Sequence, residues 1–149
     1  MIHAQNIKYA NLLAPVVLDN AASSTSTEVD TAGYDYATVI VHSGETTDTA
    51  LAEFAITESD AAGSGHAAFW TMGTQLQVAG TATSGVDAAD EIQAIEIDLR
   101  NRKRYLNVTS KGGNGTVGTS YGIMCILTRA RESNADSASD RGLDQLSRI

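Results

Sequence analysis

Ile95-Glu96-Ile97-Asp98-Leu99-Arg100-Asn101-Arg102-Lys103-Arg104-Tyr105-Leu106-Asn107-Val108-Thr109 is the stretch on which the fold turns. At its start Ile95, Ile97 and Leu99 alternate with Glu96, Asp98 and Arg100. Successive side chains of an extended strand point to opposite sides, so this alternation predicts a strand with one apolar and one wet face. From Arg104 the same period returns, with Leu106 and Val108 on one side and Tyr105, Asn107 and Thr109 on the other. Asn101-Arg102-Lys103 between them is short enough for a hairpin connection, which predicts two antiparallel neighbours.

Downstream, Lys111-Gly112-Gly113-Asn114-Gly115 reads as a second turn, because Asn-Gly tolerates the positive φ of a type I′ hairpin. The strand after it puts Val117, Thr119, Tyr121, Ile123, Cys125 and Leu127 on one face and Ser120, Gly122, Met124 and Ile126 on the other. Its second half therefore reads as buried on both sides. Upstream, Tyr34 to His42 is rich in β-branched and aromatic residues, a strand signal. Leu51 to Glu58 fits a helix or a strand, and the alternation of Phe54, Ile56 and Glu58 with Glu53, Ala55 and Thr57 favours a strand. Shorter strands are expected at Val16-Val17-Leu18 after Pro15, at Thr27 to Thr31, around Phe69-Trp70 and at Leu76 to Ala79. Ala21 to Ser26 and Gly80 to Asp90 are small and polar and read as loops.

About eight short strands with Gly/Ser/Asp punctuation predict an all-β chain, an antiparallel β-sandwich of jelly-roll type. The sandwich is expected over residues 16–128. Residues 1–15 read as a lead-in or N-terminal arm. Residues 129–149 read as a C-terminal arm in which Leu143, Leu146 and Ile149 recur every three residues without a core of their own.

The chain has 149 residues, the size of one domain. Its hydrophobic fraction is 42%, yet 22 of those residues are Ala, so the core is thin. The net charge of −8 argues against general nucleic-acid binding, where Lys and Arg must neutralise phosphates. The single cysteine, Cys125, excludes an internal disulfide and any CxxC or Cys/His zinc pattern. The longest apolar run, Leu12 to Leu18, is far short of the ~20 residues of a spanning helix, and no secretory signal is read at the N-terminus. Charge is polarised: residues 1–99 carry 14 acids against Lys8 alone, and residues 100–149 carry nine bases against four acids. Complementary patches of this kind steer and register assembly between chains.

No reactive constellation emerges. Gly113-Asn114-Gly115-Thr116-Val117-Gly118 matches G-x-G-x-x-G, but a strand follows it where a dinucleotide site needs a helix N-terminus. His3, His42 and His66 are scattered, and Gly63-Ser64-Gly65 completes no nucleophile elbow. Cys125, between Met124 and Ile126, reads as a buried apolar side chain. The dense cations Arg100, Arg102, Lys103 and Arg104 read as a contact for carboxylates on a protein partner. With the arm they make up the candidate partner-binding set: Arg100, Arg102, Lys103, Arg104, Arg129, Arg131, Leu143, Leu146 and Ile149. No catalytic, cofactor-binding or metal-binding residue is assigned, and no cofactor, nucleic acid or membrane partner is expected.

Three stretches in order carry a resemblance: Val29 to Gly44, Ile56-Thr57-Glu58-Ser59-Asp60, and Ile95 to Val108. Together they resemble the cement or decoration proteins that coat the heads of tailed bacteriophages, over roughly residues 16–128. The resemblance implies a structural, non-enzymatic virion protein. It would form a homotrimer on the outer capsid surface, contact the major capsid protein and clamp adjacent capsomers. The alternative is a small carbohydrate-binding or adhesion domain on a virion or fibre. Tyr34 and Tyr36 on one strand face would supply its stacking platform, with Trp70 a second aromatic candidate.

Overall fold

The computed structural model describes residues 6–46, 51–71, 92–112, 119–130 and 142–143. Among these, nine strands follow one another: β1 (Lys8–Leu18), β2 (Ser23–Thr25), β3 (Val29–Asp30), β4 (Tyr34–Thr46), β5 (Glu53–Ser59), β6 (Ala67–Thr71), β7 (Ile92–Asp98), β8 (Tyr105–Lys111) and β9 (Thr119–Ala130). They form two antiparallel sheets in the orders β1-β9-β4-β7 and β2-β8-β5-β6, with β3 also on β8. β2 ends opposite Thr109 and β3 resumes opposite Leu106, so the two are pieces of one interrupted strand.

Counted that way, first pairs with last and the pattern repeats inward: β1 with β9, β2/β3 with β8, β4 with β7, β5 with β6. The chain is one long antiparallel hairpin wrapped into two layers, which is the jelly-roll arrangement. Alternation then fills the core. β4 buries Ala37, Val39 and Val41, and β9 buries Tyr121, Ile123, Cys125 and Leu127. β5 meets them with Phe54 and Ile56, and β8 with Leu106 and Val108. Each fully buried Leu, Ile, Val or Phe contributes roughly 1.5–3 kcal/mol of transfer free energy. Tyr121 needs a partner for its hydroxyl and finds it across the sandwich, where Ser110 Oγ lies 2.6 Å from Tyr121 Oη.

The all-β sandwich is as the alternation predicts, and β5 is a strand. The differences have local causes. The first fifteen residues are not all lead-in: β1 starts at Lys8 and runs along β9 from Leu127 to Thr119. Register shifts at Asn11/Leu13 and Leu13/Val16 break its alternation, and Pro15 is tolerated because β1 is an edge strand. The loop expected at Ala21 to Ser26 contains β2, whose side chains are mostly exposed and so lack an apolar signature.

The largest difference lies at Asn101 to Lys103. β7 and β8 belong to different sheets and make no hairpin. Asp98 Oδ1 accepts the Arg100 N–H (3.1 Å), and the Arg102 N–H reaches Leu99 O (3.1 Å), which winds Leu99–Asn101 into a 3₁₀ turn. Leu99 is buried and carries the chain from one layer to the other. β8 and β9 also lie in different sheets and do not pair with each other; the turn expected at Asn114-Gly115 lies outside the described residues. Gly112 is required where β8 passes the end of β1, since a Cβ there would stand 2.6 Å from Leu18 O. The strand expected at Leu76 to Ala79, the loop at Gly80 to Asp90, and Arg131, Leu146 and Ile149 lie outside the described residues.

Candidate partner-binding surface

The 3₁₀ turn and the residues after it gather four of the expected cations at one end of the sandwich. They do not form an open basic patch. Arg100 forks onto the Asp98 carboxylate, and Arg104 does the same to Asp30, with Nε–Oδ1 at 2.9 Å and Nη2–Oδ2 at 2.7 Å. Arg102 Nε lies 3.8 Å from Glu58 Oε2, which also accepts the Lys103 N–H at 3.1 Å. Lys103 Nζ stands 4.0 Å from Asp60. The acids come from β7, β3, the end of β5 and the residue after it, so the loop ties both sheets together at this end.

Aromatic rings interleave with these pairs. Arg100 lies over Tyr36 (5.9 Å), Arg102 over Phe69 (4.7 Å) and Arg104 over Tyr105 (5.0 Å). Arg129, at the end of β9, covers Tyr36 as well (5.5 Å). Arginine and tyrosine so arranged are the side chains enriched at protein contacts, where planar groups bury area at small entropic cost. The electrostatics follow from the forks. Hydrogen bonding from Arg100 holds the Asp98 carboxyl at about 2, and Asp98 reciprocally raises Arg100 above its ordinary value. Arg104 lowers Asp30 chiefly by its hydrogen bonds, against a smaller opposing effect of burial, and is itself raised.

The described part of the arm lies on the chain itself. Gly142, at φ +70°, sits so close to β1 that a Cβ would stand 1.8 Å from Tyr9 O; Leu143 beside it is half-buried. Sequence reasoning found the cations but not their acids. Only Asp98 is local to its partner, whereas Arg104 and Asp30 are 74 residues apart and Lys103 and Glu58 are 45 apart. Strand pairing alone brings these together.

Other polar clusters have structural roles. Glu28 Oε2 faces His66 Nε2 (2.7 Å) and accepts the Gly63 N–H (2.9 Å). His66 Nδ1 stands 3.3 Å from Thr57 Oγ1, whose proton is donated to Asn107 Oδ1. Carboxylate, imidazole and hydroxyl are in series, but Thr57 is buried and its proton is committed to Asn107. The series pins the segment after β5 over its sheet. Cys125 is buried, and burial pushes its thiol up to about 12, far from the range of a reactive thiolate. Among the described residues no three of His, Cys, Asp and Glu are grouped to hold a metal ion, and no helix is long and apolar enough to cross a membrane. Compared with known proteins, the chain matches no family model and no curated protein.

Proposed function

We propose that this chain is a structural head protein of a tailed bacteriophage. It binds the outer capsid surface through the major capsid protein, as a homotrimer, and strengthens contacts between capsomers without catalysing a reaction. The observation that carries the reading is the jelly-roll order β1-β9-β4-β7 over β2-β8-β5-β6, an arrangement shared by many capsid domains. The sequence resemblance over roughly residues 16–128 supports it. So does an end where guanidinium groups and aromatic rings alternate. A protein that binds only the assembled head raises its stability by mass action. The test is to strip heads of the chain, add it back, and measure the temperature at which they release DNA. A saturable rise supports the reading; binding without a rise, or no binding, overturns it.

One observation favours a second reading, glycan binding. Tyr36, Thr38, Thr128, Glu96 and Asp98 line a hollow of about 430 Å³ on the outer side of the β1-β9-β4-β7 sheet. Hydroxyls, carboxylates and a ring in one hollow suit a saccharide. Tyr34 is buried, and Trp70 packs edge-on to Phe54 with centroids 6.3 Å apart, so the platform reduces to Tyr36. A glycan array read with the wild type and Tyr36→Ala distinguishes this reading, which requires a signal that the variant loses.

A further inference from the structure

Among the described residues there are four arginines, and three of them are spent on carboxylates of this chain. Arg100 forks onto Asp98, Arg104 onto Asp30, and Arg102 Nε stands 3.8 Å from Glu58 Oε2. Arg129, the fourth, makes no ion pair with a described residue. The register sets Asp35 across from it, between the pairs Tyr34–Ala130 and Tyr36–Thr128, but the two form no ion pair, and the charge of Asp35 acts on Arg100. Glu96, on β7, lies two strands from β9, about 10 Å across the sheet.

Strand alternation alone would aim Arg129 at the core, because it continues the inward series Tyr121, Ile123, Cys125 and Leu127. A left-handed backbone at φ +54° averts this, and the exposed side chain comes to rest over Tyr36, 5.5 Å from the ring centroid. A residue with a Cβ is strained in that conformation, and such strain persists only where the surrounding structure holds it. The ring of Tyr36 is the seat that holds it here. Arg100 lies over the same ring at 5.9 Å, so Tyr36 carries two guanidinium groups, of which Asp98 neutralises one. A cation–π contact uses the face of a guanidinium and leaves its planar fork of N–H donors for an acceptor. That fork matches a carboxylate through two parallel hydrogen bonds, and a side chain seated in advance loses less freedom when it binds.

We infer that Arg129, seated on Tyr36, is where this chain receives a carboxylate of the protein it binds. The contact expected of the run Arg100 to Arg104 falls to this residue, because that run closes on its own acids. The site adjoins the 3₁₀ turn, since Arg100 shares the ring, so the neutralised forks and the unpaired one present a single surface. The inference rests on the head-binding reading and names the chemistry of the partner there: an Asp or Glu side chain on the outer surface of the head. Such a charge-assisted pair is strong when the fork is placed beforehand and the partner group is planar.

The experiment titrates the full chain onto stripped heads and measures bound protein. Arg129→Gly binds roughly tenfold more weakly, the scale of one hydrogen bond to a charged group. Its urea midpoint of unfolding holds or rises, because glycine takes the left-handed backbone without strain. Tyr36→Leu removes the seat and weakens binding in the same way. On heads whose surface carboxylates have been amidated with a carbodiimide and ethanolamine, the wild type binds no better than Arg129→Gly. Four results would each overturn the inference and leave head binding standing: Arg129→Gly binding untreated heads like the wild type, Tyr36→Leu doing so, a wild-type advantage that survives amidation, or a lowered urea midpoint of Arg129→Gly. A wild type that binds no heads removes the head-binding reading, and this inference with it.

Discussion

Ala21 carries a left-handed backbone, φ +58°, beside Asn20 at +46° in the turn from β1 to β2, which the Ala22 N–H closes onto Asp19 O at 2.8 Å. An L-residue pays about 1–2 kcal/mol there that glycine does not, less the larger entropy glycine loses on folding. Ala21→Gly is therefore expected to stabilise the fold by up to about 1 kcal/mol, read from urea unfolding. Cys125 offers a second residue-level check. With its thiol pushed up to about 12 inside the core, native protein at pH 8 leaves it unmodified by thiol reagents, and denatured protein modifies it fully. Asp98 and Asp30 give a third. Both are held below the ordinary carboxylate value of about 3.9, Asp98 at about 2, by arginine forks. Stability from a depressed carboxylate is complete above its unfolded value and lost as pH falls through the folded one. The melting temperature should drop between about pH 4 and pH 2, and Asp30→Asn should flatten that drop. Asp98 is the more exposed of the two, so solvent screens its pair more and its own share of the drop is the smaller.

Elements hold together by contacts the alternation does not specify. The Tyr121–Ser110 hydrogen bond links β9 in one sheet to β8 in the other, and burial raises the Tyr121 hydroxyl while Ser110 lowers it. Tyr121→Phe leaves the Ser110 hydroxyl buried without its partner and should cost about 1–3 kcal/mol. Tyr121→Phe with Ser110→Ala should cost less than the sum of the two single changes, a cycle read by chemical denaturation. The 3₁₀ turn is a second such link. Reversing Arg102 and Arg104 to Glu sets like charges beside Glu58 and Asp30, so the pair of changes should lower the urea midpoint of unfolding in addition to any effect on assembly.

The same elements show what the sequence makes legible. Ile97, Leu106 and Val108 stand between polar or amphipathic neighbours, and Phe54, Ile56 and Tyr121 keep the same period of two, so these strands face the core as the alternation predicts; the second half of β9, expected to be buried on both sides, instead exposes Met124, because its outer face has no layer over it among the described residues. Pairing is another matter. Asn101-Arg102-Lys103 has hairpin length, yet the turn crosses between layers because Asp98 caps it and Leu99 prefers the core to the strand edge. β1 is obscured by its register shifts at Leu13 and Pro15, which remove the period. The cations of the candidate surface are visible as a run, but their acids Asp30, Glu58 and Asp60 are reached only through sheet pairing.

At the scale of the whole molecule, the excess of acids before residue 99 and of bases after it is partly consumed within the chain. Arg100, Arg102, Lys103, Arg104 and Lys111 all meet carboxylates from residues 30 to 98. The polarity that suggests partners therefore first closes the end of the sandwich. Among the described residues, Arg129 and Glu96 stand outside these ion pairs, and Val17, Met124 and Ile92 leave the outer face of the β1-β9-β4-β7 sheet partly apolar. A jelly roll with such a face and an arginine–aromatic rim is suited to adhere, and head binding is the form of adhesion proposed. The most direct measurement is to image heads stripped of this chain after titrating it back, and to count copies at saturation. The account predicts density on the outer surface at fixed, symmetry-related positions, with a whole number of copies per capsomer. Heads that stay bare at saturating protein would contradict it.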